Sequence, residues 1–518
     1  MSQSIAPLLC RARAFRFKRF AVPVVALTFL AGCTVGPDWV RPVDPAAKAY
    51  TAEQTASVSP GDAVAKQRFA LGEKIREDWW ELFHAPKLSE LIQQAFAGNL
   101  TVAAARANLA QAREIVSEAG GGRWPQIGLD SDATRSGTNY ASSGFDQKGR
   151  TSNLYTVGLR ASYALDLFGG IERQIERQGA LADYQAEQLN AAYLTLTGNV
   201  VLQALQIAAI RAQIKANEQI IAVDQKNYDS VKTLLGVHAA TRIELASAES
   251  QLATDRTLLP PLRQQLSVAR HALAILVGKA PSEWTPPDFD LEDFALPDVL
   301  PVSLPSALVH KRPDILAAEA QLHSANAEIG IATAQLYPNI TLSAGLVQQA
   351  VMASNLVSSV GTIWNIAGNL TAPIFNGGAL MAQKRAAEDT YEGALLTYQH
   401  TVLQAFGQVA DALDSLQHDA ELIEYEERAL AATQASVLLT RASFSAGQAR
   451  FIEVLDAERL YQRALLGHAH AVAQRFADTS QLFLAMGGGR NWAAAADIKP
   501  ATAATVASAP PPSQAASQ

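Results

Sequence analysis

The strongest constraint on this chain is an internal duplication. Arg123-Trp124-Pro125-Gln126-Ile127 recurs as Leu336-Tyr337-Pro338-Asn339-Ile340, 213 positions later. At the same spacing Leu109 stands opposite Leu322 and Ala112 opposite Ala325. Asp166-Leu167-Phe168-Gly169-Gly170 is answered by Pro373-Ile374-Phe375-Asn376-Gly377-Gly378. Ile243-Glu244-Leu245 and Ala248-Glu249 are answered, 209 positions on, by Ile452-Glu453-Val454 and Ala457-Glu458. Near-constant spacing over most of the chain predicts two structural repeats.

Each repeat holds two stretches of period-two alternation. Ile127 and Leu129 form the first, and Tyr155, Val157, Leu159, Ala161, Tyr163 and Leu165 the second. The other repeat has Ile340, Leu342, Ala344 and Leu346, then Trp364, Ile366, Gly368 and Leu370. Alternation over about ten residues marks a strand with one face to lipid and one to water. A soluble half-buried strand reads the same way, but four such stretches in a secreted chain favour lipid contact. The polar runs Thr134 to Asn153 and Gln348 to Gly361 read as outward loops.

Each repeat then enters a long proline-free stretch, from Gly170 to Leu259 and from Ile374 to Lys499. A helix of about 65 residues would extend roughly 100 Å. Leu395, Val402, Val409, Leu416, Ile423, Leu430 and Val437 keep a seven-residue spacing, with Phe406, Leu413 and Ala420 as a second line. Tyr193, Val200, Ile207, Ile214 and Ile221 do the same in the first repeat. Sustained heptads bury a seam against neighbouring helices. Gly236 and Gly447 interrupt the two patterns and fit left-handed helix caps. Helical patterns resume near Arg242 and Phe451, so each interruption predicts the tip of a helical hairpin.

The N-terminus reads as an address. Arg11, Arg13, Arg16, Lys18 and Arg19 precede the apolar run Phe20 to Leu30, too short to span a bilayer. Leu30-Ala31-Gly32-Cys33 resembles the lipobox of bacterial lipoproteins, which implies cleavage before Cys33 and a lipid on its sulfur. Thr34 in place of an inner-membrane retention Asp favours the outer membrane. Cys10 is lost with the leader, so Cys33 is left as the one cysteine and no disulfide or thiol metal site is expected. Losing five basic residues takes the net charge from −7 to −12, which disfavours nucleic-acid binding. No later run of 18 uncharged apolar residues exists, so no transmembrane helix is expected.

Four strands cannot stand alone in hydrocarbon, because unpaired edge groups are costly there. Two copies would give eight strands, with an interior filled by side chains; three would give twelve, with room for a lumen. Strands joined directly to long helices extend that closure below the membrane as a duct.

Several motifs carry a family resemblance. Cys33-Thr34-Val35-Gly36-Pro37-Asp38-Trp39 resembles the mature start of TolC-like outer-membrane factors, within them the NodT-type, OprM-like lipoproteins of RND efflux systems. Trp79-Trp80, Arg312-Pro313-Asp314-Ile315 with Ala317-Ala318-Glu319, and Pro373 to Gly378 resemble the same family. So do Val454-Leu455-Asp456-Ala457-Glu458-Arg459 and Leu484-Ala485-Met486-Gly487-Gly488-Gly489. The match runs from Cys33 to about Trp492; Trp39 replaces the usual Tyr, and Asn376 a common Asp. The resemblance implies a mainly α fold with a small membrane β part. As a homotrimer it would form a 12-stranded transmembrane β-barrel continuous with a periplasmic α-helical barrel. It implies docking to a periplasmic adaptor and an inner-membrane RND-type pump. It also implies an aperture, carried over to Ile452 and Asp456, and adaptor-contacting tips at Gly236, Val237, Gly447 and Gln448. A solvated carboxylate at a helix start explains Asp456 equally, and capping alone explains the glycines.

The expected organisation is a signal peptide over 1–32 and an N-terminal periplasmic segment over 33–86. A first repeat follows over 87–278, with strands about 125–134 and 154–165, then a linker over 279–304. The second repeat covers 305–490, with strands about 338–347 and 363–372, before a disordered tail over 491–518. Trp79 and Trp80 read as packing anchors, and Arg312 and Asp314 around Pro313 as a helix start. His468 and His470, two apart on a helix, make a poor metal pair. No paired carboxylates, Ser/His/Asp set or phosphate loop argue for an enzyme, and no cofactor is expected beyond the lipid on Cys33. The favoured function is the passive outer-membrane exit duct of a tripartite efflux pump for small molecules. The alternatives are a type I protein-secretion duct and a non-channel periplasmic coiled-coil scaffold.

Overall fold

The computed structural model describes residues 34–47, 49–51, 67–139, 144 and 149–488. The leader, Cys33 and the segment 491–518 lie outside the described residues. In chain order the elements begin with β1 (Arg68–Leu71), a 3-10 turn (Trp79–Phe83), α1 (Pro86–Gly98) and α2 (Leu100–Gly121). They continue with β2 (Gln126–Thr138), β3 (Arg150–Leu165), α3 (Gly170–Gly236), α4 (Arg242–Arg256) and α5 (Leu259–Leu276). Next come β4 (Val299–Val302), α6 (Pro305–Leu308), α7 (Pro313–Ala334), β5 (Asn339–Ala350) and β6 (Thr362–Thr371). The last are α8 (Ala379–Ser445) and α9 (Phe451–Ala485). The described residues fall into two units, those within 1–43, 109–185 and 317–401, and those within 44–108, 186–316 and 402–518.

The first unit carries an antiparallel sheet in the order β2-β3-β5-β6. Its register aligns Leu129, Leu159, Leu346 and Trp364 in one row and Ile127, Ala161, Ala344 and Ile366 in the next. Because side chains alternate along a strand, these rows share one face. That face is apolar yet open: Leu129 is 70% and Ile366 79% exposed. The opposite face is polar, with Arg160 ion-paired to Asp130 at 2.8 Å. Strands β2 and β6 are edges, each paired on one side only among the described residues.

The strands run past their expected limits. β2 continues to Thr138 and β3 starts at Arg150, so both ends of the expected loop from Thr134 to Asn153 belong to the ladder. Polar residues suit a two-sided exposed pair; the Ser136 and Ser152 hydroxyls hydrogen-bond across it at 3.2 Å. β5 likewise extends to Ala350, and two 3-10 turns, Ala353–Val357 and Ser359–Gly361, lead into β6.

An extended strap, Thr34 to Val43, lies along α3 and α7 in the same unit. Arg41 pairs with Glu319 at 2.6 Å, Trp39 stacks on His323, and Asn326 donates to the Pro37 carbonyl. Arg173, 5% exposed, donates to the Val35 carbonyl and pairs with Asp38 and Glu176 at 2.7 Å each. Gly36 has φ +91°, and a Cβ there would lie 2.5 Å from the Gly330 Cα. Only glycine meets both demands.

The second unit is helical. Val402, Val409, Leu416, Ile423 and Val437 are buried, as the heptad reading expects, while Leu395 and Leu430 are half-buried. The second buried line is Ala405, Ala412 and Asp419, not Phe406, Leu413 and Ala420, which are only half-buried. Small side chains let the backbones approach, which pulls the seam to the alanine side. On α3, Tyr193, Val200 and Ile207 are buried as expected, Ile214 and Ile221 are half-buried, and Leu196, Ile210, Asn217 and Asp224 form the line beside them. By length and composition α3 has a window apolar enough to cross a membrane, contrary to the count of uninterrupted apolar residues. Of that window, 61% is buried inside the protein, the behaviour of a core helix.

Trp79 (1% exposed) packs on Phe83 and Phe483, and Trp80 on Phe96. The linker between repeats joins this core: Phe289, Leu300 and Val302 are fully buried, and β4 pairs in parallel with β1. Arg312 is more than a helix start. It is 6% exposed, donates to the Ala485 carbonyl and Gln408, and grips Asp314 with two nitrogens.

Candidate functional site at the helix tips

The two tips, α3 to α4 and α8 to α9, close with the same hydrogen bonds. The Ala239 N–H donates to the Leu234 carbonyl at 2.8 Å, and the Gln448 N–H to the Ser443 carbonyl at 2.9 Å. This six-to-one bond places the left-handed residue at His238 (φ +61°) in the first tip and Gly447 (φ +74°) in the second. Gly447 is the expected cap. Gly236 is not: it ends the helix two residues before the left-handed position, which histidine fills. Histidine is among the residues that tolerate this region better than most. Val237 is 68% exposed, and Gln448 is exposed in the other turn.

The return helices start differently. Thr241 caps α4: its hydroxyl accepts from the Glu244 N–H at 3.2 Å, while Glu244 accepts from the Thr241 N–H at 2.7 Å. At α9, Arg450 makes no such cap and instead pairs with Glu453 at 3.2 Å.

Val231, Ala248, Phe451 and Leu455 form the buried centre beneath these turns, with Ile452 half-buried against it. Asp456 projects into solvent, paired with Arg459 at 3.1 Å. Both line a groove of about 560 Å³ that also contains Arg242 and Ile243 from the start of α4. The structure thus brings Ile452 and Asp456 together with first-repeat residues, and gives the Asp456 charge a cationic neighbour.

Sequence reasoning missed a polar knot one step inward. Glu458, 3% exposed, accepts from Arg441 Nε at 2.8 Å and from the Asn227 amide. Asp224, 2% exposed, faces Asp255, Glu458 and Gln462. Burial, then the adjacent Asp255 and Glu458 carboxylates, push the Asp224 carboxyl up to about 8, so it holds a proton at neutral pH. Farther along the same unit, burial and then Asp478 push Asp419 up to about 7. The neighbouring Arg475 guanidinium donates to Gln67 at 2.7 Å and to the Leu416 carbonyl at 2.5 Å. The available signal was polar residues on a seven-residue line: Asn217 and Asp224 on one helix, Asp419 on another.

The repeats, the one-sided apolar sheet and the paired hairpin tips agree with a family profile described as "Outer membrane efflux protein", which matches residues 91–279 and 304–488. The chain belongs to the outer membrane efflux protein family. It is 28% identical over 478 residues to the cation efflux system protein CusC of Escherichia coli strain K12, covering 90% of this chain and 99% of CusC. It is 30% identical over 421 residues to the pyoverdine export outer membrane protein OpmQ of Pseudomonas aeruginosa, covering 79% and 87%. The solved open state of the Neisseria gonorrhoeae MtrE outer membrane channel matches it with a TM-score of 0.75 and 25% identity, over 88% of this chain and 98% of MtrE. This outer membrane efflux protein is a channel component of the cell's outer membrane, and the scaffold reading is set aside.

Proposed function

We propose that three copies close a twelve-stranded barrel and form the passive exit duct of a tripartite efflux system. The observation that carries this reading is the four-stranded sheet with one continuous apolar face and two open edges, β2 and β6. Lipid would force those edges to pair with another copy. Eight strands would leave an interior full of side chains, whereas twelve leave a lumen. Periplasmic adaptor and inner-membrane RND-type pump are the partners, and small molecules the cargo. The cations and pyoverdine in the names of CusC and OpmQ support a small cargo.

In this reading Cys33 carries the lipid, Ile452 and Asp456 ring the periplasmic aperture, and Gly236, Val237, Gly447 and Gln448 meet the adaptor. No catalytic residue or cofactor is invoked. The test is detergent-extracted protein run with and without heating, then reconstituted in planar bilayers. A heat-sensitive band of three copies and stepwise conductance are expected. A monomer, or a trimer without conductance, would overturn the proposal.

A further inference from the structure

Below the sheet, the first unit contains a cavity of about 610 Å³ where the strands pass into helices. Its wall is largely apolar, with Leu165, Leu167, Phe168, Ile171, Ile331 and Leu380 among its lining residues. The acidic group in it is already used: Asp166 accepts from the N–H groups of Ile171 and Glu172 at 2.9 and 3.0 Å, capping α3. The pocket therefore offers an apolar ligand a largely apolar wall without a stranded charge. Phe168 stacks on Tyr337 at 4.6 Å at its edge, an aromatic pair of the kind that gathers at a membrane boundary.

The strap leads to this place. Its contacts climb α7 as its own numbers fall: Arg41 at Glu319, Trp39 at His323, Pro37 at Asn326, Gly36 at Gly330. One turn farther along that helix face is Ala334, a cavity residue. The strap's end is held at the same level. The Val35 N–H donates to the Phe168 carbonyl at 3.1 Å. Gly169, φ +74°, lies so close to Thr34 that a Cβ would meet the Thr34 Cα at 2.7 Å. The next residue toward the N-terminus is Cys33.

We infer that the cavity at the strand–helix joint is the seat of one acyl chain of the lipid carried by Cys33. This rests on the reading of Cys33 as the lipidated residue. The proposed barrel would already hold the protein in the bilayer, so one chain need not serve as an anchor and is free to fix position instead. Lodged at the joint, it ties the N-terminal strap to the level at which strands give way to helices. A volume of this size accommodates a length of acyl chain.

The test is photo-crosslinking in the intact envelope. Cells expressing the full chain are fed a diazirine-bearing palmitate, irradiated, and the purified protein is mapped by mass spectrometry. Crosslinks on the peptides carrying 164–171 and 331–338 are expected, joined to the N-terminal peptide. They should disappear in Cys33→Ser exported with an ordinary cleavable leader, and fall at least several-fold in Ala334→Trp, which fills the cavity. The wild-type map stands even if Ala334→Trp misfolds. An acylated N-terminal peptide whose crosslinks fall elsewhere would overturn the seat alone. Crosslinks that persist in Cys33→Ser would give the cavity to free membrane phospholipid, and crosslinks to another copy would give it to the assembly. An N-terminal peptide without acyl mass would sink the lipidation reading as well.

Discussion

Arg441 and Glu458 meet across the second tip hairpin, Nε to carboxylate at 2.8 Å, with the Glu458 side chain 4% and the Arg441 side chain 48% exposed. The asymmetry matters. Losing Arg441 leaves a buried carboxylate with the Asn227 amide as its remaining hydrogen-bond donor, whereas losing Glu458 frees an arginine that reaches water. Arg441→Ala is expected to cost about 1–3 kcal/mol of local stability, less than a fully buried pair would because Arg441 is half in solvent. Hydrogen exchange at α8 and α9 near the tip measures it; protection equal to wild type would remove the pair from that role.

The Asp224 carboxyl adds a pH dependence with a definite sign. Its folded pKa, about 8, lies above the ordinary 3.8, so the folded state binds more protons than the unfolded one between those values. Its contribution is fully present below about pH 4 and is lost as pH rises through 8. Tip protection should therefore fall between pH 5.5 and 8.5 in the wild type. Asp224→Asn, which keeps the shape without the proton, should flatten that slope. An identical slope in the variant would assign the dependence elsewhere.

The caps separate Gly236 from its neighbours. Gly447 holds φ +74°, so Gly447→Ala is expected to cost about 1–2 kcal/mol. His238→Gly should relieve a similar strain and stabilise the first tip. Gly236 is helical, and Gly236→Ala should stabilise by up to about 1 kcal/mol. Protease resistance of the tips ranks all three; destabilisation by Gly236→Ala would return the cap to that residue.

Face specificity tests the membrane sheet. Ile366 lies on the apolar face and Asn365 on the polar one, at the middle of β6. Ile366→Lys should cost about 2–4 kcal/mol in lipid and sharply reduce the heat-sensitive oligomer. Asn365→Lys should leave it near wild type. Equal losses would argue against lipid on the apolar face.

Conductance tests the proposed aperture role of Asp456. Its carboxylate is exposed and paired to Arg459 at 3.1 Å, so Asp456→Ala both removes an acid and frees a cation. Single-channel conductance should rise, and the reversal potential in a salt gradient should move toward anion preference. Currents unchanged in both respects would place Asp456 away from the narrowest point.

Much of the fold was legible because it repeats. Period-two runs named the residues that the register later set on one face, from Ile127 to Leu370, since a strand's alternation is local geometry. Tip positions were legible to within two residues, but the hydrogen-bond pattern, not the glycine, decided that His238 turns the first one. Heptad spacing found the first seam and missed the second, because spacing alone does not say on which side alanines let helices close. Asp224, Asp255 and Glu458 are far apart in sequence, and no local pattern brings them together.

The sequence by itself determined the two repeats, the four strands, the long helices and the family, all of which follow from periodicity and motif. Only the tertiary structure decided which polar groups share a site. It placed Asp224 beside two carboxylates, fastened Glu458 between Asn227 and Arg441, and led the strap to the joint beside Gly169. Those outcomes depend on distances between elements. Burial and proximity set them, and neither is a property of a residue before the helices pack.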